Sequence, residues 1–382
     1  MASACRVVEI WGTARERGER YGAETAGEIR AGVGNYLAQM ARSGLTEAGL
    51  AELTEAYLPI IEAFDTGHVE EMRGIAAGAD VPMAHIVLLN ARTELLKMAG
   101  NPVLREGLVA ERGMDGCTTI IVQPERTANG DLVHAHNWDW KATCAETCVV
   151  LRIRGENGPD ILTFTEAGGL ARFGFNSAGI AITGNYLECE RDYRQIGVPL
   201  ALLRRKVLQE PNYSEAFKSV YATPKSASNN LALSHAGTGI VHDLECAPDE
   251  TFVIEPTDGL LVHANHWLSP IALTKLRETG VPDSPCTHWR QQRAERLLAR
   301  RDRIEIDDIR GVLLDQVGSP LAICVPPRPS TMTGTSATVA SLIMRPGLGE
   351  MELAMMPALG GDYVRYTLES QPAIVQSQAT NA

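Results

Sequence analysis

The sequence is 382 residues long, and it contains no run of about 18 apolar residues, the length a membrane-crossing helix requires. It has no extended Lys/Arg stretch, and its net charge is −12. Both features count against nucleic acid or an anionic membrane as the main partner. It has no Cys-x-x-Cys pair. The eight cysteines stand at 5, 117, 144, 148, 189, 246, 286 and 324, so neither a zinc ribbon nor a disulfide framework is expected. The opening Met-Ala-Ser-Ala-Cys-Arg lacks a basic segment leading into an apolar core, so no secretory signal is read there and a reducing cytoplasm is the expected compartment. There is no internal repeat and no recognisable element for a nucleotide, so no cofactor is expected.

What is present is an ordinary globular composition, 45% hydrophobic and 21% charged, in a chain long enough for one large domain or two smaller ones. The first hundred residues read as mostly helical. Apolar side chains recur every three or four positions over 23–42 and again over 46–64, where Pro59 predicts a kink. Shorter helices are expected over 69–77 and 83–98.

From Cys117 the texture changes. Short β-branched runs alternate with turns: 117–122, 132–136, 148–153, 160–165, 171–175 and 179–183. Two helices are predicted over 199–209 and 213–222, then strands over 239–243, 251–256 and 259–263. Helices follow over 289–300 and 306–316, and a closing hairpin over 338–355. The polar tail beyond 368 reads as loose. Many antiparallel strands with intervening helices suggest stacked sheets covered by helices.

At the junction of the two halves lies Asp115-Gly116-Cys117-Thr118-Thr119. A Gly before a Cys lets the thiol reach the preceding carbonyl. If Cys117 became a new N-terminus, one residue would carry both a nucleophilic thiol and an α-amine of pKa near 8 to accept its proton. Asp115 would support the cleavage step. Asp139, between Trp138 and Trp140 one hairpin downstream, is costly there unless paired, and the new ammonium is a natural partner. Asn265, in His263-Ala264-Asn265-His266, follows a strand and is a candidate oxyanion donor. Asn185, after the strand over 179–183, is a second.

Each motif has a plainer reading: a buried structural Cys, an Asp-Gly turn, a strand-end Asp, a turn Asn. A rival chemistry also exists. His134 and His136 share one face of a strand, and with Asp139 and His263 or His266 they would suit the metal of a metal-dependent amidohydrolase. An inert chain that binds through its helical arm is the non-enzyme alternative.

The Asp115–Thr119 motif together with Asn137-Trp138-Asp139 resembles the acyl-CoA:6-aminopenicillanic acid acyltransferase (isopenicillin-N acyltransferase) family of N-terminal nucleophile hydrolases. That family also holds the insect β-alanyl-dopamine hydrolase and is similar, more distantly, to bile-salt hydrolases and penicillin V acylases. Further likeness lies in Glu16-Arg17-Gly18, in Leu88–Leu95, in Glu166-Ala167-Gly168, in Gly174–Gly179 and in His263–His266.

The resemblance implies an α+β fold, an αββα sandwich of two stacked antiparallel sheets with an α-rich N-terminal arm. It implies autocleavage between Gly116 and Cys117 into an arm of residues 1–116 and a catalytic body of residues 117–382. It assigns the nucleophile to Cys117, the amine-orienting carboxylate to Asp139, an oxyanion donor to Asn265 and, more loosely, a second to Asn185. Bile-salt hydrolases carry an Arg where His136 stands. The expected activity is a cysteine amidohydrolase or N-acyltransferase working through a thioester, with hydrolysis first and neither metal nor cofactor. The expected partners are a small-molecule amide and the two fragments for each other. A homo-oligomer is compatible with this reading.

Overall fold

The computed structural model describes residues 4–42, 44–99, 116–330 and 334–369. In chain order its first part holds β1 (Arg6–Ile10), α1 (Ala14–Glu24), α2 (Ala26–Arg42), α3 (Glu47–Phe64), α4 (Thr66–Ala79), α5 (Met83–Asn90) and α6 (Arg92–Ala99). The second part begins with β2 (Cys117–Val122), β3 (Val133–Lys141), β4 (Cys148–Ile153), β5 (Ile161–Glu166), β6 (Phe173–Asn176) and β7 (Ile180–Tyr186). It continues with α7 (Leu200–Gln209), α8 (Tyr213–Tyr221), β8 (Asn229–His235), β9 (Ile240–Cys246), β10 (Thr251–Ile254), β11 (Leu260–His263) and α9 (Pro270–Lys275). It closes with α10 (Cys286–Ala299), α11 (Ile306–Leu313), β12 (Arg328–Ser330), β13 (Gly334–Arg345), β14 (Glu350–Met355) and β15 (Val364–Thr367).

The strands form two sheets. One runs β1-β4-β5-β6-β7-β8-β9-β10; the other runs β11-β2-β3-β13-β14-β15, with β12 added alongside β13. Every pairing is antiparallel except β1 with β4. The sheets lie face to face. Thr119 of β2 donates its hydroxyl to Asn185 Oδ1 of β7 at 2.6 Å. His134 of β3 meets Thr183 of β7 and Ser234 of β8 at 2.8 and 2.9 Å.

Alternation sends the neighbouring residues of β2 and β3 to the opposite face. There Ile120, Val122, Val133 and Ala135 pack under Ala294 and Leu298 of α10 and Ile309 and Val312 of α11. Helices α7 and α8 cover the outer side of the other sheet through β6–β9. The result is the expected αββα sandwich. Among the described residues no helix is long and apolar enough to cross a membrane.

The β-branched run of β2 with the polar turn after it, and the turn over 346–349, make the hairpins β2–β3 and β13–β14 readable in the sequence. Four strands were not: β1, β12 and β15 are short, and β8 carries Asn, Ser and His on its seven positions. The expected kink at Pro59 is absent as a break, since α3 runs through it. Pro59 is exposed, so its missing N–H lies on the solvated side of the helix. The tail beyond 369 lies outside the described residues, as does Asp115.

The N-terminal arm is not purely helical. Its first element, β1, pairs with β4 of the body. Glu71 of α4 is a buried hub that joins Arg17 of α1 at 3.0 Å and Arg205 of α7 at 2.8 Å. The arm is thus bound to the body by a sheet ladder and by a buried ionic network.

Candidate active site

Cys117 opens β2, a strand flanked by β11 and β3. Its register partner on β3 is Trp138, and Thr119 pairs with His136 and with His263 of β11. Cys117, Thr119, His134, His136 and Trp138 therefore share the face that looks into the space between the sheets. Cys117 is 3% exposed and Trp138 fully buried, and none of the eight cysteines is in a disulfide.

The Gly116–Cys117 peptide is held from several sides. The Gly116 carbonyl accepts the Asp139 backbone N–H at 2.7 Å. The Cys117 backbone N–H donates to Asn265 Oδ1 at 2.8 Å. Arg290 of α10 donates to the Cys117 carbonyl, to Thr118 Oγ1 at 2.9 Å and to Asn265 Oδ1 at 2.7 Å. Gly116 is required here by close approach: a Cβ at this position would stand 2.3 Å from Asp139 Oδ2.

The carboxyl of Asp139 is buried beside that peptide and accepts the Thr338 hydroxyl at 2.5 Å. Burial pushes its pKa up to about 6, although the charge of Arg290 and the Thr338 hydrogen bond pull it down. A carboxyl poised near neutrality can give or take a proton at working pH.

The two asparagines expected at the site are placed as follows. Asn265 presents its oxygen, not its N–H, to Cys117. Both facing groups, a backbone N–H and a guanidinium, can only donate, and Asn265 Nδ2 donates to the Tyr186 carbonyl at 3.0 Å. Asn265 thus sets an acceptor beside the Cys117 nitrogen, with one of its two amide N–H groups given to Tyr186. Asn185 is further removed. Its oxygen takes the Thr119 hydroxyl and one of its two Nδ2 N–H groups goes to the His263 carbonyl at 2.9 Å.

The metal alternative does not assemble. Strand alternation turns Asp139 away from His134 and His136. Both ring nitrogens of His134 are engaged by hydroxyls, and among the described residues no group of three His, Cys, Asp or Glu is arranged to hold a metal ion.

Two contributors escaped the sequence reading, Arg290 and Thr338. Arg290 sits in an arginine-rich helix whose sequence gives no reason to single it out. Thr338 is one of many Thr in strands; only the pairing of β13 with β3 brings it opposite Asp139.

Two atoms on the Cys117 face have no hydrogen-bond partner although buried, Trp138 Nε1 and His136 Nε2. The single Thr119 hydroxyl proton goes to Asn185, so Thr119 accepts from His136 Nδ1, which lies 2.8 Å away. Burial holds the His136 pKa well below its ordinary value, so the ring is neutral and Nε2 is a bare acceptor. Trp138 offers a bare donor.

Two stacked, almost wholly antiparallel sheets with helices on both outer sides form an N-terminal nucleophile hydrolase scaffold. Sequence comparison gives the family. The family described as "Acyl-coenzyme A:6-aminopenicillanic acid acyl-transferase" matches residues 126–348. The acyl-coenzyme A:6-aminopenicillanic-acid-acyltransferase 40 kDa form of Emericella nidulans is 30% identical over 322 residues, 83% of this chain and 84% of that protein. The chain belongs to this acyltransferase family.

Among solved structures, an N-acylethanolamine-hydrolyzing acid amidase ortholog from Caenorhabditis elegans is 16% identical, with 61% of this chain and 94% of that chain covered and a TM-score of 0.44. A penicillin V acylase from Agrobacterium tumefaciens is 15% identical, covering 66% and 86%, with a TM-score of 0.43.

Proposed function

We propose that this chain is an autoproteolytically activated cysteine enzyme that cleaves a small-molecule amide through a thioester. The observation that carries the reading is the Gly116–Cys117 peptide, gripped at its carbonyl by the Asp139 N–H and at its nitrogen by Asn265.

In the first reaction the Cys117 thiolate attacks the Gly116 carbonyl carbon. The developing oxyanion is already bound by the Asp139 N–H, without reorganisation. The C–N bond breaks, the Cys117 nitrogen takes a proton, and the acyl group passes to sulfur. Asp139, with its carboxyl against Gly116 and its pKa near 6, is suited to supply the proton that the departing Cys117 nitrogen takes. Water then hydrolyses the thioester, releasing a Gly116 carboxylate and leaving Cys117 with thiol and α-amine. The 1–116 fragment stays in place through β1 and Glu71.

In turnover, the α-amine takes the thiol proton, the sulfur attacks the substrate amide, and the proton passes to the departing amine. The acyl group then goes to water. The unpaired Trp138 N–H and His136 Nε2 complement the carbonyl and N–H of an amide. Transfer of the acyl group to an amine is the second reading, favoured by the 30% identity to a named acyltransferase.

A screen of N-acyl amino acids, β-alanyl amides and penicillins, each with and without coenzyme A, tests both readings. Amide loss that requires Cys117 supports the proposal. Turnover that survives Cys117→Ala contradicts it.

A further inference from the structure

Asn265 lies on a turn, residues 264–269, that joins β11 to α9. The turn ends on a buried carboxylate from the opposite sheet. Glu245 of β9 accepts the N–H of Leu268 at 2.5 Å and of Ser269 at 3.0 Å. Its Oε1 also meets His263 Nε2 at 2.9 Å. The other ring nitrogen of His263 faces the Ala264 carbonyl at 2.9 Å.

A carbonyl and a carboxylate are both acceptors, so both ring nitrogens of His263 must donate and the ring is an imidazolium. Burial alone would lower its pKa, but Asp243 and Glu245 outweigh burial and raise it to about 9. Asp243 lies 3.7 Å from the ring and is tied by Asn230, whose oxygen takes the Asn185 N–H. Glu245, His263 and Asp243 are all fully buried.

Such a triad costs desolvation and is poor evidence of a stability role. What it does hold is both ends of one turn. His263 enters the turn and donates to its first carbonyl; Glu245 takes two N–H groups at its end. Between these anchors sits Asn265, whose own N–H goes to Thr287 Oγ1 at 2.7 Å. We propose that Glu245, together with the His263 imidazolium, is a positioning pair that sets Asn265 against the Cys117 nitrogen, so that the chemistry of Cys117 depends on Glu245 through Asn265. This rests on the reading of Asn265 as part of the Cys117 site.

A double-mutant cycle on the rate of self-cleavage tests it, measured by pulse-labelled cell-free translation of the full chain. Asn265→Ala alone examines the underlying reading: it should slow cleavage on the order of tenfold or more. Glu245→Gln removes the closer of the two carboxylate charges on His263, leaving Asp243 at 3.7 Å, and should slow cleavage by a similar factor. In the Asn265→Ala background, however, Glu245→Gln should add no more than about twofold, because the residue it positions is gone. A role in folding alone would give losses that multiply in full, and that result overturns the inference.

A Glu245→Gln chain that cleaves at the wild-type rate overturns it too. If Asn265→Ala cleaves normally, the Asn265 reading fails first and the positioning claim falls with it. Where Glu245→Gln does not fold, Glu245→Asp, which keeps the charge on a shorter arm, takes its place in the cycle. If that variant also fails to fold, the pair is a folding element and the proposal is wrong.

Discussion

Replacing Gly116 by Ala should slow maturation sharply. A Cβ at 116 would meet Asp139 Oδ2 at 2.3 Å and Asp139 Cβ and Cγ at 3.2 Å. The carboxylate would have to withdraw by about 1 Å to regain ordinary contact. It has little room to do so, because Thr338 Oγ1 fixes its other oxygen at 2.5 Å. A misplacement of about 1 Å in a reacting array costs on the order of 10²-fold in rate, or about 2.7 kcal/mol of barrier.

The assay is the appearance of two bands on a denaturing gel over time after cell-free synthesis. Whatever fraction does cut should turn over normally, because Gly116 is no longer joined to the nucleophile. Cleavage of Gly116→Ala within about twofold of the wild-type rate would refute the close-approach argument.

Other outcomes follow from the same geometry. Cys117→Ala should remain a single chain of 382 residues on a denaturing gel. Asp139→Asn should neither mature nor turn over, yet in an uncleavable Cys117→Ala background it should raise Tm above pH 6. The sign follows from linkage: burial raises the Asp139 pKa from 3.8 to about 6, so the folded state holds a proton there that the unfolded state has lost, and stability falls as pH rises through that window. Melting curves from pH 4 to 8 check this; equal pH dependence in both variants would contradict it. Arg290→Ala removes the donor shared by the Cys117 carbonyl, Thr118 and Asn265, and should slow self-cleavage on the order of tenfold to a hundredfold. Arg290→Lys should recover little of that loss, because an ammonium lacks the planar fork. A chelator should leave the wild-type rate unchanged; loss restored by zinc would revive the His134/His136 site.

Much of the site lay open in the sequence because strand chemistry is local. Cys117 to Val122 is a β-branched run behind a Gly, and the hairpin to Asp139 follows from the turn between. That Asp139 reaches the Gly116–Cys117 peptide is a consequence of pairing two adjacent strands. What stayed hidden depends on distant partners. Arg290 arrives from a helix 173 residues away, with nothing local to distinguish it from its neighbouring arginines. Asp243 and Glu245 alternate on β9 as solvent-facing charges would, yet both are buried against the other sheet. The direction of the Asn265 amide is likewise set by Arg290 and Tyr186, so its residue type was readable and its polarity was not. β1 is five residues whose partner, β4, begins 142 positions later.

The central claim, that Cys117 is freed as the N-terminal nucleophile, is tested most directly by intact mass and N-terminal sequencing of the purified active protein. The account predicts two fragments that copurify, one ending at Gly116 and one beginning with Cys117, whose N-terminal thiol takes up a single equivalent of alkylating agent as activity is lost. A fully active protein that remains one chain across the Gly116–Cys117 bond would contradict it.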